Sequence, residues 1–393
     1  ADFLRQLSGW QQIAGLPEDT RENRRGKALV IRACTGCHQS SMLFARRFDE
    51  AGWAAVIDAM GKLTPAGKVP AVFVTHRREI ASYLAKVSGP HPSTMTIKLP
   101  PPPTGEALDA VVYEYNIANI AGAYAPSYGS DWSEGPSTTT GTGISIHDAT
   151  IDQAGDLWFT SPAPLPGRTI GKLDGRTGET TNIAYPGETP PTGRSHAMIA
   201  APDGTIWFNI MYGKEPMASH LGTIDPRTGA RDYFVVPKGM IPVGAWLTAD
   251  GKDGIWTAAG TGYSGSAGAL RFDRKTKRFE EFKSLKEGMT YGVAGDADGN
   301  GWWAQINEDR IYYADRAKGT IGEIDLPFSW QGSSFLKPGD MTEQEYIDVV
   351  FGVGSVRGSA QMPRRLKADL RGNSVWVGNW AGNNLMRIDT RTR

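Results

Sequence analysis

Ile151-Asp-Gln-Ala-Gly-Asp-Leu-Trp158-Phe159, Ala201-Pro-Asp-Gly-Thr-Ile-Trp207-Phe208 and Ala249-Asp-Gly-Lys-Asp-Gly-Ile-Trp256 are three copies of one turn and strand, with tryptophans 49 residues apart. Ala297-Asp-Gly-Asn-Gly-Trp302-Trp303 and Leu370-Arg-Gly-Asn-Ser-Val-Trp376 add two more. The Asp-Gly and Gly-Asn pairs supply the positive φ of tight hairpins, and the tryptophan opens the following strand. A second element follows each copy: Ile170-Gly-Lys-Leu-Asp174, Leu221-Gly-Thr-Ile-Asp225, Leu270-Arg-Phe-Asp273, Ile321-Gly-Glu-Ile-Asp325 and Leu385-Met-Arg-Ile-Asp389. An aromatic or β-branched strand such as Arg231-Asp-Tyr-Phe-Val-Val236 then closes the unit. Three or four short strands per repeat of this length predict the blades of an all-β propeller.

The blade motif resembles that of the streptogramin lyases (virginiamycin B lyases), over residues 108–393. The resemblance implies a closed propeller of five to seven blades, although the chain is short for the seven of the lyases. Val111-Val-Tyr-Glu-Tyr115 reads as an outer strand without its blade, and the last unit stops where such a strand is due. N- and C-terminal strands are therefore expected to complete one blade together and remove the sheet edges. Residues 328–360 read as an insertion, with a short helix over Met341–Tyr346 after an Asp340 cap. In the lyases, residues at the start of each innermost strand converge near the axis, where histidines and a glutamate work with magnesium. The corresponding positions are His147, His196, Trp246, Tyr291 and Arg364 or Arg365. His147 and His196 are the candidate catalytic pair, as metal ligands or as acid and base, against the alternative of hydrogen-bonded channel-lining residues. The chain contains no His-x-Glu or Glu-x-His pair, so the lyase arrangement is not reproduced.

The first third of the chain carries a different signal. Cys34-Thr-Gly-Cys37-His38 is the attachment signature of a c-type haem: two thiols to add to the vinyl groups, and a histidine to reach the iron. Structural zinc needs four ligands, and these are the only two cysteines. A thioredoxin-like pair wants a strand before it, whereas Arg21–Ala33 reads as a helix. Trp53, Val56, Ile57 and Met60 follow the i, i+3, i+4, i+7 spacing of one helical face. Val69–Val87 is a second amphipathic stretch, carrying Val72, Phe73, Ile80, Tyr83 and Leu84 and ended by Ser88-Gly89-Pro90. Residues 18–90 resemble class I cytochromes c, more narrowly the small haem domains associated with quinoprotein dehydrogenases. That resemblance implies one covalent haem c bound through Cys34 and Cys37, with His38 and Met60 as axial iron ligands. Met42 and His76 are the weaker candidates for the sixth ligand.

The expected organisation is thus multidomain: a small all-α cytochrome c domain at 1–90, a proline-rich linker at 91–107, and the propeller at 108–393. Pro100-Pro-Pro-Pro103 favours a stiff polyproline II spacer. The 393 residues include 48 glycines, 25 prolines and 12 tryptophans, a turn-rich balance that suits a largely β remainder. Lys and Arg balance Asp and Glu at 42 each, which gives no reason to expect nucleic acid or an anionic membrane as partner. No apolar run approaches a membrane span. Haem attachment of this kind, and a start at Ala1 as after removal of a signal peptide, place the expected location in the periplasm. Two functions are expected to compete. In one, an electron-transfer cytochrome uses its propeller to dock a periplasmic dehydrogenase or another redox protein. In the other, a haem-containing oxidoreductase or lyase-like enzyme holds a small-molecule substrate at the propeller centre.

Overall fold

The computed structural model describes residues 7, 9–34, 43–62, 71–98, 101–111, 113, 115, 146–165, 167–184, 195–211, 219–260, 266–306, 308–327, 335–351, 361–380, 382 and 384–393. They fall into two compact units. One holds the described residues up to 115 together with 335–351, and the other holds 146–327 and 361–393.

The first unit is helical: α1 (Gly9–Ala14), α2 (Arg21–Cys34), α3 (Glu50–Lys62), α4 (Ala71–Thr75), α5 (Arg77–Ser88) and α6 (Glu343–Phe351). Thr20 starts α2 by accepting the Asn23 amide at its Oγ1, 3.2 Å away, and Asp49 starts α3 by accepting that of Gly52 at 2.8 Å. The predicted apolar faces hold the buried residues, with Val56 and Met60 of the α3 face only half-buried. Trp53 and Ile57 of α3 are buried, and so are Val72, Phe73, Ile80, Tyr83 and Leu84. The stretch expected as one helix over Val69–Val87 is two, broken at His76. α2 and α5 cross at Gly26, where any Cβ would collide with the Tyr83 ring, so only glycine permits this approach.

Two boundaries differ from the sequence reading. Residues 91–98 belong to the helical unit instead of acting as a spacer: the Thr96 amide donates to Gly15 O at 2.8 Å, and Lys98 pairs with Glu18 at 2.8 Å. The helix within the 328–360 insertion runs over Glu343–Phe351, and its cap is Thr342, not Asp340. Thr342 Oγ1 accepts the Glu345 amide while Glu345 accepts the Thr342 amide, a reciprocal capping box. Asp340 takes the Arg24 guanidinium in a fork of two 2.7 Å hydrogen bonds, and Arg25 reaches Glu345 at 3.2 Å. These pairs seat the insertion's helix on α2, a long-range partnership that sequence spacing does not signal.

The second unit is built of five antiparallel sheets that resemble propeller blades. The first contains Ala149–Ile151, Leu157–Leu165, Arg168–Leu173 and Thr180–Ile183, and the second Met198–Ala200, Ile206–Ile210, His220–Ile224 and Arg231–Val235. The third is Val243–Ala249, Gly254–Ala259, Gly268–Asp273 and Arg278–Lys283, and the fourth Thr290–Gly295, Gly301–Gln305, Arg310–Asp315 and Thr320–Asp325. The fifth has three strands, Pro363–Ala368, Ser374–Asn379 and Asn384–Asp389. Each is a meander in sequence order. Consecutive sheets pack face to face: Trp158 lies with Met198 and Phe208, Trp207 with Leu247 and Phe272, Trp256 with Trp303, and Trp302 with Leu366 and Val375. Each of these repeat tryptophans therefore fills the interface with the following sheet.

The turn before each tryptophan explains the repeat. Asp152, Asp250 and Asp296 each accept the indole Nε1–H of the tryptophan six residues on, at 2.8, 3.1 and 3.0 Å. Their other carboxylate oxygen accepts two turn amides, such as those of Ala154 and Asp156 on Asp152. In the second sheet Ala201 stands where aspartate is due, and the Trp207 indole nitrogen is buried without a partner among the described residues. The fifth turn is one residue longer, and Trp376 is 41 % exposed because no further sheet covers it among the described residues. The later hairpins repeat as well. Asp174, Asp225, Asp273, Asp315 and Asp389 begin turns whose fifth residue has positive φ: Gly178, Gly229, Lys277, Gly319 and Arg393. In the fourth sheet the turn aspartate is thus Asp315. Asp325, which the sequence reading aligned there, ends the outermost strand. Val111, Tyr113 and Tyr115 are exposed and carry no strand, so the expected closure of the fifth sheet by an N-terminal strand is not formed by the described residues.

Candidate functional site

Of the haem motif, Cys34 is the last residue of α2, while Cys37 and His38, like Met42, lie outside the described residues. α3 buries Trp53, Ile57 and Gly61 and leaves Met60 half-buried at the margin of the same face. The thiol thus closes one helix, and the Met60 thioether lies at the edge of an apolar helical core. His76 lies at the break between α4 and α5, with its Nδ1 3.4 Å from the Glu79 carboxylate. Among the described residues no three His, Cys, Asp or Glu side chains cluster as a metal site.

The second constellation lies at the inner ends of the sheets. One position, five residues before the turn residue of each repeat, is occupied by His147, His196, Ala245, Tyr291 and Arg364. The structure brings these together. The rings of His147 and His196 lie 3.5 Å apart between centroids, His196 meets Tyr291 edge-on at 5.7 Å, and the Arg364 guanidinium sits 4.6 Å from the Tyr291 ring centroid. Trp246 is one residue past the equivalent position and supports Arg365 instead, whose guanidinium lies 4.1 Å from its ring. Trp380, which the sequence reading missed, covers the Arg364 guanidinium at 4.9 Å. Its signal was weak: a tryptophan at a strand end, outside the repeat.

Backbone carbonyls orient both histidines. His147 Nδ1 donates to His196 O at 2.9 Å, and His196 Nδ1 donates to Ala245 O at 2.7 Å. A carbonyl only accepts, so the proton of each neutral ring is on Nδ1 and the lone pair is on Nε2. The side chain of Asn209, fully buried, fixes this geometry: its Oδ1 accepts the amides of His196 and Ala197, and its Nδ2 donates to Gly244 O at 2.6 Å. Burial pushes the His147 pKa below its usual value, with the charges of Arg365 and Arg364 acting the same way. Burial, and then the neighbouring His147, push His196 down to about 4. Two imidazoliums in this contact would repel, so near neutral pH the pair is uncharged. Asp148 is held by the Met198 amide at 3.0 Å, and burial raises its pKa.

The arrangement can accept protons or hydrogen bonds at two Nε2 atoms and donate from two guanidinium edges. Two imidazoles alone are too few ligands for a closed metal site.

No family model matches the chain, and no curated protein does. Solved structures with some likeness to it include virginiamycin B lyase of Staphylococcus aureus, at 17% identity over 63% of this chain and 67% of that one, with a TM-score of 0.43. The PQQ-bound aldose sugar dehydrogenase of Streptomyces coelicolor covers 63% of this chain and 78% of its own, at 14% identity and a TM-score of 0.33. A nidogen/laminin complex reaches 12% identity over 62% of this chain and 76% of that one, with a TM-score of 0.40. At these scores the likeness carries no argument, and the blade assignment rests on the sheets themselves.

Proposed function

We propose that the chain is a periplasmic c-type cytochrome that carries electrons, with its propeller-type sheets serving to dock a partner dehydrogenase or acceptor. One haem c would be bound through Cys34 and Cys37, with His38 and Met60 on the iron. The observation that most supports this reading is the position of Cys34: α2 ends there, and the rest of the attachment signature follows directly. The bound haem would supply one-electron chemistry, and a thioether ligand would raise its potential relative to two histidines, as suits an acceptor. The protein's own part is to shape the apolar helical core around Trp53, Ile57 and Leu84 and to hold the Met60 thioether beside it.

The convergence of His147, His196, Tyr291, Arg364 and Arg365 favours a second reading, in which the sheet centre takes a small-molecule substrate and the haem removes its electrons. Mixing the oxidised protein with candidate substrates, and separately with a reduced periplasmic dehydrogenase, tests both. The carrier predicts haem reduction only by the dehydrogenase. Reduction by a small molecule alone, lost in the His147→Gln/His196→Gln variant with haem content unchanged, would replace it with the enzyme.

A further inference from the structure

Arginines elsewhere in the sheet unit show how this fold neutralises a buried guanidinium. Arg271 is paired with Asp250 at 3.0 Å and Asp273 at 3.1 Å, and Arg310 with Glu308 and Asp325 at 2.7 Å each. Half-buried Arg364 and exposed Arg365 have no carboxylate partner among the described residues. Aromatic rings occupy their faces instead: Tyr291 and Trp380 for Arg364, and Trp246 for Arg365. Stacking of this kind uses the π face of a guanidinium and leaves its N–H edge to donate. Among the described residues Arg364 Nη2 bonds Tyr291 Oη at 3.1 Å, while Nε is buried and has no partner there. A buried, unpaired donor on a cation calls for an acceptor that arrives from outside.

The neighbourhood narrows what that acceptor is. Both arginine charges act on His147 and His196, so the four groups share one electrostatic environment. The one nearby carboxylate among the described residues is Asp148, which also feels Arg365 but is held in the sheet by the Met198 amide. Two neutral imidazoles place acceptor nitrogens beside the cations without cancelling their charge. We propose that the inner ends of the sheets form a binding site for a small oxyanion, a carboxylate or a phosphate, gripped by the N–H edges of Arg364 and Arg365. This rests on the reading of the sheet centre as a small-molecule site and is independent of the haem.

Calorimetric titration of the whole protein at neutral pH with succinate, and separately with inorganic phosphate, tests it. Calorimetry reads binding without turnover, so it tests the oxyanion site whether or not any substrate reduces the haem. Saturable one-to-one binding of either anion is expected, and the anion that binds identifies the ligand class. Arg365→Gln is expected to weaken that binding at least tenfold. Arg365 is exposed, so its loss leaves the fold intact, which an unchanged circular dichroism spectrum would verify. Arg371→Gln, in the exposed turn of the same sheet, is expected to bind as the parent does. Binding of neither anion, or equal binding by Arg365→Gln and the parent, would overturn the proposal.

Discussion

The outer turns and the inner ends of the sheets are built from the same repeat, yet they treat their residues in opposite ways. At the turns one residue type recurs in one role, since Asp152, Asp250 and Asp296 each bind two amides and an indole. Five residues earlier, the equivalent positions hold His147, His196, Ala245, Tyr291 and Arg364, all different in chemistry except the paired histidines. A repeat gives each position several independent copies inside one chain. Where the fold needs a residue, the copies mostly agree: four of the five turns carry aspartate, and one carries Ala201. Where they diverge and still converge in space, the demand comes from something other than the fold.

Substitutions at the turns and at the inner ends should therefore fail differently. The largest effect is expected from Asp250→Ala, which strands the Trp256 indole and two turn amides and leaves the nearly inaccessible Arg271 guanidinium with Asp273 and Glu280 alone. Removing one partner of a buried ion pair costs roughly 4 kcal/mol, measurable by denaturant unfolding. The inner position is expected to show itself in acid. His196 titrates at about 4 when folded, against 6.5 for the free side chain, so the unfolded chain takes up its proton first. The stability present above pH 6.5 is then lost as the pH falls toward 4, by about 3 kcal/mol for a shift of this size. His196→Gln is expected to flatten the stability profile across that window. Ala201→Asp restores the missing turn carboxylate under Trp207 and is expected to stabilise by about 1 kcal/mol, the net worth of a typical hydrogen bond. A loss instead would mean that the second sheet has repacked around alanine. The smallest effect is at Lys277, whose φ of 59° sits where three sister turns have Gly178, Gly229 and Gly319. Lys277→Gly is expected to raise stability by about 0.5–1 kcal/mol by removing left-handed strain from a residue with a Cβ.

The turn-and-tryptophan repeat made the sheets legible because aspartate, glycine and tryptophan each carry a local geometric meaning. The site was legible through the same register: counting back from each turn located the histidines, the tyrosine and the arginines. Local pattern misleads where partners are distant in sequence. Nothing local to Asp340 announces Arg24, so its carboxylate reads as a helix cap when Thr342 fills that position. Ile321–Asp325 imitates the third-strand pattern by composition, while Asp315 makes the turn. Residues 91–98 look like a proline-rich spacer, yet the Gly15 carbonyl and Glu18 tie them to the helices. Trp380 had no repeat partner to draw attention to it.

Electron transfer by this chain stands or falls with a covalent haem, for which the decisive experiment is a pair of optical spectra, oxidised and reduced, of protein produced with the cytochrome c maturation machinery. The expected result is a c-type spectrum that survives denaturation, with a sulfur-to-iron charge-transfer band in the oxidised form that disappears in Met60→Ala. A protein that retains no haem after denaturation would refute covalent attachment at Cys34 and Cys37. A charge-transfer band that persists in Met60→Ala would remove Met60 from the iron.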